Sequence, residues 1–172
     1  PVNKGDDMIA HSQLGDEDGL NFVPTDKFKL QSKKFENVFV LGDTTNLPAS
    51  KAGSVAHFEA EILTENILNY IRQKPMTADF DGHSNCFIET GFGKAALIDF
   101  NYDTQPLPGK FPLPYVGPMD LLKPTLTNHM GKLAFRWVYW HMLLTGKKLP
   151  VPTHMSMSGK VQEEKKEELV NP

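Results

Sequence analysis

The sequence lacks most of the features that mark disulfide-linked, membrane-spanning or nucleic-acid-binding proteins. Its 172 residues include one cysteine, Cys86, which excludes an internal disulfide and a multi-cysteine metal site. No apolar run reaches the roughly 18 residues of a transmembrane helix. The first residues have no apolar core of the kind found in a secretory signal. The net charge of −3 argues against a nucleic-acid partner.

Acidic residues are missing from one long stretch. Residues 121–162 contain six basic residues and neither Asp nor Glu, although the whole chain is acidic. A basic segment on an acidic body is attracted to anionic surfaces, of which a membrane is the simplest. The alternative interpretation is a solvated loop that happens to carry lysines.

Apolar spacing predicts several regular elements. The continuous apolar run 37–41 is typical of a buried strand, and helical spacing over 53–73 predicts a helix that Ser50 or Ser54 can cap. Two strands, 86–89 and 94–100, flank glycines typical of a hairpin. Five prolines make 104–118 extended, and 132–144 has the composition of an apolar helix that ends near Gly146.

The first group of candidate functional residues lies where the strand 37–41 gives way to the helix. Asp43 follows the strand, where a carboxylate faces the usual ligand crevice of an open α/β sheet. The helix start offers free N–H groups and a positive dipole end, Gly53 permits close approach, and Lys51 adds a charge. This set suits an oxygen that becomes anionic, such as that of a reduced flavin. An Asp that caps a turn beside a solvated Lys is the alternative.

The second candidate is Cys86. A lone cysteine is most often an inert core residue, and a reactive thiolate needs electropositive surroundings that a sequence does not show. His83, three residues upstream, is predicted to be a loop residue rather than a base.

The third candidate is the apolar helix 132–144, which contains both tryptophans. At ~1.5 Å per residue it spans about 20 Å, less than the ~30 Å hydrocarbon core, so we predict that it lies in the membrane interface. A buried helix and a dimer interface are the alternatives. The residues expected at the membrane are Lys132, Arg136, Trp137, Trp140, Lys147 and Lys148.

Two segments resemble flavoprotein motifs. Residues 37–43 resemble the second FAD-binding motif of the pyridine nucleotide–disulfide oxidoreductases, the flavoproteins with two dinucleotide-binding domains. Residues 48–53 resemble the Pro-Lys-x-Gly segment of sulfide:quinone oxidoreductases, with Ser50 where that family has proline. The segment 85–87, the pair Phe111-Pro112 and the apolar helix follow in the family's order, so the resemblance covers 20–148.

The resemblance implies an α/β fold, the C-terminal part of a two-dinucleotide-binding-domain flavoprotein. An incomplete Rossmann-like FAD domain would be followed by a β-hairpin and a C-terminal amphipathic helix. No Gly-x-Gly-x-x-Gly occurs, so the first FAD motif is expected in a missing N-terminal half. The expected divisions are 1–36, the end of the second nucleotide-binding-like domain; 37–84, the return to the FAD domain; 85–158, the quinone- and membrane-associating region; and 159–172, a charged, disordered tail.

The resemblance also implies a chemistry, in which sulfide is oxidised to sulfane sulfur and electrons pass through FAD to a membrane quinone. Cys86 would carry the sulfur with a second cysteine from the missing half, so this part alone would be inactive. Peripheral attachment to a prokaryotic-type inner membrane is expected, and a homo-oligomer is compatible with the sequence. FAD would contact Gly42, Asp43, Lys51, Ala52, Gly53 and Ser54, and quinone would contact Phe87, Phe111 and Phe135.

Three other functions share parts of this pattern. A type II NADH:quinone dehydrogenase also delivers electrons to a membrane quinone but has no need of Cys86. A flavocytochrome-type sulfide dehydrogenase keeps the cysteine but needs no amphipathic helix. A non-catalytic flavoprotein module that docks to a membrane or a partner needs neither.

Overall fold

The computed structural model describes residues 4–16, 19–113, 115–149 and 151–162. The mixed α/β class predicted from the sequence is confirmed. Its helices are α1 (Asp7–His11), α2 (Gly53–Ile71) and α3 (Leu126–Val138), and its strands are β1 (Ser84–Gly91), β2 (Lys94–Phe100), β3 (Gly109–Phe111) and β4 (Met119–Leu121).

The strands form one mixed sheet in the order β1-β2-β4-β3. The predicted hairpin is present: β1 and β2 are antiparallel, and Cys86 lies opposite Ile98. β2 is parallel to β4 through Leu97 and Leu121, and β3 is antiparallel to β4. Because side chains alternate along a strand, β2 turns Ala95, Leu97 and Asp99 inward, and all three are buried.

The main core lies between α2 and the loops that precede and follow it. Val55, Phe58 and Ile62 of α2 pack against residues such as Leu30 and Phe80. The predicted range of 53–73 agrees with the observed helix to within two residues at its end. A smaller cluster joins Ile9, Val23 and Val40 near the start of the chain.

Three predicted elements differ from the structure. The run 37–41 is not a regular strand: Phe39 makes one isolated bridge to Gln31, and a strand needs a partner along its length. The helix predicted over 132–144 begins at Leu126, because the Thr125 side chain caps it, and it ends in a π-helical turn, Tyr139–Leu143. Lys160, in the predicted tail, has a buried side chain, while 163–172 lie outside the described residues.

Candidate functional site

Gly42 and Asp43 lie in a 3₁₀ turn, Gly42–Thr44, that leads toward α2. Gly42 has a φ of +74°, in the left-handed region that favours glycine. The turn is closed by Thr45, whose backbone N–H and hydroxyl both donate to the Gly42 carbonyl, at 3.1 and 2.9 Å. The Asp43 side chain is exposed and accepts no hydrogen bond from any described residue. Its carboxylate is therefore available to the hydroxyl groups of a ligand.

The start of α2 is open. Ala52 is the N-cap residue and no side chain caps it, so the expected serine cap is wrong. The Ser54 hydroxyl donates instead to the Asn85 carbonyl, at 2.8 Å. A Cβ built on Gly53 would have no heavy atom within 4 Å. The Ala52 N–H donates to the Ser50 carbonyl at 3.0 Å, so the prediction that it is free is wrong. The N–H groups of Gly53 and Ser54, a positive dipole end and open space fit the polar part of a flavin cofactor.

Lys51 points back toward the loop before α2. Its Nζ donates to the Thr45 carbonyl at 2.6 Å and lies 4.6 Å from the centre of the Phe22 ring. Burial lowers the pKa of the ammonium, and the charges of Asp43 and Glu59 oppose that shift. Lys51 therefore supports the turn that carries Asp43 and adds positive charge beside it.

The two residues just before Cys86 each make a hydrogen bond with the segment at the start of α2. Ser54 bonds to Asn85, and the backbone N–H of Ser50 lies 3.4 Å from the Ser84 hydroxyl. Cys86 is half-buried, and among the described residues its thiol makes one long contact, 3.7 Å, with the Phe87 carbonyl. The fold thus joins the beginning of β1, which carries the thiol, to the open helix start.

The three phenylalanines predicted to contact quinone lie in the sheet and on α3. The Phe87 ring packs against Gly131 of α3, as does the side chain of Met119. Met119 is paired across the sheet with Phe111. Phe135 is four residues after Gly131, on the same side of the helix. All three phenylalanines are half-buried.

The residues predicted to meet a membrane lie on α3 and beyond it. Trp137 is 61% exposed and Trp140 is 57% exposed. Lys132 makes an ion pair with Glu89, with 3.3 Å between Nζ and Oε1. Arg136, Lys147 and Lys148 are exposed. No helix in the described ranges has the length and apolarity to cross a bilayer.

A buried group of charged residues lies beside the same strand start and was missed by the sequence analysis. His83 is 1% exposed, and its Nε2 lies 2.8 Å from Asp99 Oδ1, which also accepts from Asn85 at 3.0 Å. Lys160 donates to the other carboxylate oxygen of Asp99. His83 therefore lies in the loop before β1, as predicted, but its side chain is buried in the core. The alternation of β2 is the signal that would have placed Asp99 inward.

Comparison with known proteins identifies relatives of the chain. It matches no family model. It is 32% identical to the mitochondrial sulfide:quinone oxidoreductase of Schizosaccharomyces pombe over 86% of its length. It is 31% identical to the Mus musculus protein of that name over 85%, and 34% identical to the Dictyostelium discoideum one over 81%. The chain spans about a third of the length of these curated relatives.

A solved structure has a similar fold. One chain of the cryo-EM structure of the Tetrahymena thermophila mitochondrial ATP synthase matches with a TM-score of 0.56 at 25% identity. The match covers 80% of this chain and 29% of that one. The fold is α/β, and the relatives that match the chain are named as oxidoreductases. More particularly, the chain is a relative of the sulfide:quinone oxidoreductases, as its sequence predicts.

Proposed function

We propose that the protein is part of an FAD-dependent oxidoreductase that converts sulfide to sulfane sulfur and delivers the electrons to a membrane quinone. The observation that carries this proposal is the Ser54–Asn85 hydrogen bond of 2.8 Å, because it ties the open start of α2 to the strand that presents Cys86. The three relatives are named for this reaction and support it. When bound, FAD accepts two electrons from sulfur and passes them to quinone.

The residues of this chain have separate roles in the proposed reaction. Asp43 binds hydroxyl groups of the cofactor, and the N–H groups of Gly53 and Ser54 face its polar end. The Cys86 thiolate would form an S–S bond to the sulfur of sulfide and so carry it as a persulfide, the two electrons released would go to the flavin, and a second cysteine would come from the rest of the protein. On the other side of β1, Phe87, with Phe111 and Phe135, provides an aromatic site for the quinone ring.

Replacement of the thiol tests the sulfur chemistry. In the full-length protein, Cys86→Ser abolishes sulfide-dependent quinone reduction and leaves the flavin absorbance unchanged, because a hydroxyl does not exchange sulfane sulfur. Thr90→Ala, at the far end of β1, is the matched control and keeps full activity. Near-normal sulfide oxidation by the serine variant would contradict the proposal. Quinone reduction by NADH instead would favour the type II NADH dehydrogenase.

The membrane part of the proposal rests on the exposed outer surface of α3 and the π-helical turn. Trp137 and Trp140 are exposed beside a basic segment, the arrangement of an interfacial helix. The relatives are named as mitochondrial, which favours a mitochondrial membrane over the prokaryotic one expected from the sequence. Anionic vesicles should shift the tryptophan emission to the blue, and high salt should weaken binding without abolishing it. If vesicles leave the tryptophan emission unchanged, α3 belongs to a protein interface instead.

A second candidate function is a non-catalytic module that docks into a larger assembly. One observation favours it: a chain of similar fold is present in the Tetrahymena ATP synthase structure. This candidate predicts a full-length protein that purifies without flavin and migrates with a large complex in native electrophoresis. Stoichiometric flavin in the purified protein would contradict it.

A further inference from the structure

Glu59 is a buried carboxyl group beneath the candidate cofactor site. It lies on α2, is 1% exposed, and accepts a hydrogen bond from the backbone N–H of Gly42. No other described residue donates a hydrogen bond to it. A buried carboxylate ordinarily has a charged partner or several donors, so this one is held with unusually little compensation.

The contacts of Glu59 lead directly to the residues assigned to the cofactor. Gly42 begins the turn that carries Asp43, and its carbonyl accepts from Thr45. The Thr45 carbonyl in turn accepts from Lys51. One hydrogen bond therefore joins Glu59 to the turn, and the same hydrogen-bond network holds Lys51.

Three ionisable groups from neighbouring segments interact electrostatically with Glu59. Asp43 lies in the turn, Lys51 lies before α2, and Tyr102 follows β2. Burial raises the pKa of Glu59 to about 7, against the opposing effects of the Gly42 hydrogen bond and the Lys51 charge, while Asp43 adds to the rise. Near neutral pH the protonated and ionised forms therefore coexist.

We infer that Glu59 is a proton-binding positioning residue of the cofactor site, which takes up a proton when negative charge is added at the start of α2. The inference rests on the proposed function. The two electrons come from the sulfur substrate and the proton comes from solvent. On Glu59 the only bond formed is one O–H bond, and it breaks again when the charge leaves. Glu59 takes up the proton because Coulomb repulsion between its carboxylate and the added negative charge is strong where the groups are shielded from water.

The test is the pH dependence of the midpoint potential of bound FAD in the full-length protein. One additional proton per two electrons changes the equilibrium constant tenfold per pH unit, or about 30 mV. The wild-type protein should show this additional slope around neutral pH, and Glu59→Gln should lose it, because the amide keeps the shape and the acceptor oxygen but does not titrate. Glu61→Gln is the matched control: it lies on the same helix, bonds to Thr153, and should keep the wild-type slope.

A second measurement covers the case in which Glu59→Gln does not fold. Infrared difference spectra of the wild-type protein, reduced minus oxidised, should show a protonated carboxyl band appearing on reduction, and its absence would overturn the inference. A folded Glu59→Gln variant that keeps the wild-type slope would also overturn it. Full-length protein that binds no added FAD contradicts the proposed function itself, and bound FAD with an unchanged slope contradicts the inference alone.

Discussion

Two buried carboxylates, Asp99 and Glu59, lie in neighbouring parts of the molecule and are held in different ways. Asp99 is 2% exposed and Glu59 is 1% exposed. Asp99 accepts from the side chains of His83, Asn85 and Lys160, whereas Glu59 accepts from one backbone N–H. Burial is nearly equal, so any difference in behaviour comes from the hydrogen-bond donors and the charges around each carboxylate.

The two carboxylates have pKa values shifted in opposite directions. Burial alone would raise the pKa of Asp99, but the hydrogen bonds from His83, Lys160 and Asn85 outweigh it and hold the pKa below the ordinary 3.8. Ionised Asp99 therefore stabilises the fold above that pH, and the contribution is lost as the pH falls through the lowered pKa. Glu59 has a raised pKa, so its contribution is present at low pH and is lost as the pH rises toward about 7.

The largest expected effect is the loss of the Asp99 charge. Asp99→Asn leaves the Lys160 ammonium buried with no carboxylate partner, and removing one member of a buried pair costs roughly 3–5 kcal/mol. The free energy of unfolding, measured with urea at pH 7, should fall by that amount.

An exposed pair provides the control for this prediction. Asp120 pairs with Lys110 at 2.8 Å, and both side chains are partly exposed. Asp120→Asn should cost less than about 1 kcal/mol, as is usual for surface ion pairs. If the two variants lost equal stability, the buried group around Asp99 would not be the strong contact described.

The second-largest expected effect is a gain in stability rather than a loss. Glu59→Gln should stabilise the protein at pH 8 by up to about 3.5 kcal/mol, because each pKa unit between the ordinary 4.5 and about 7 is worth about 1.4 kcal/mol. Below pH 4.5 the variant and the wild-type protein should be equally stable. Urea unfolding across this pH range checks the prediction. A variant that is less stable than the wild-type protein at pH 8 would show that ionised Glu59 is well compensated.

The positions of these carboxylates were predictable in part. Asp99 follows Ala95 and Leu97 at the two-residue period of β2, and Glu59 falls four residues after Val55, on the buried side of α2. The helical spacing over 53–73 does not single out Glu59, because a pattern of apolar residues ignores a charge that falls within it. The partner of Asp99 was not predictable, because Lys160 is 61 residues away.

The helices and strands, too, could be predicted only where their sequence signals are local. Helix α2 and the hairpin were predicted because their signals are local: helical spacing in one case, and alternation around glycines in the other. The run 37–41 has the composition of a buried strand, yet a strand forms only where another lies beside it. The link between Ser54 and Asn85, on which the candidate site depends, joins segments 31 residues apart and has no local signal.

The smallest expected effect concerns an exposed carboxylate, Glu89, which completes the comparison. Its pKa is lowered mainly by a hydrogen bond from His129, at 3.0 Å, and also by Lys132. Glu89→Gln should therefore destabilise the protein less than Asp99→Asn does, and only above the ordinary pKa of 4.5, since the contribution is lost as the pH falls. Because solvent reaches this group, the loss should shrink at high salt, whereas the loss from Asp99→Asn should persist. Urea unfolding of both variants at low and high salt makes the comparison. A salt-independent loss at Glu89 would mean that donor number alone, and not donor number together with burial, sets the strength of these contacts.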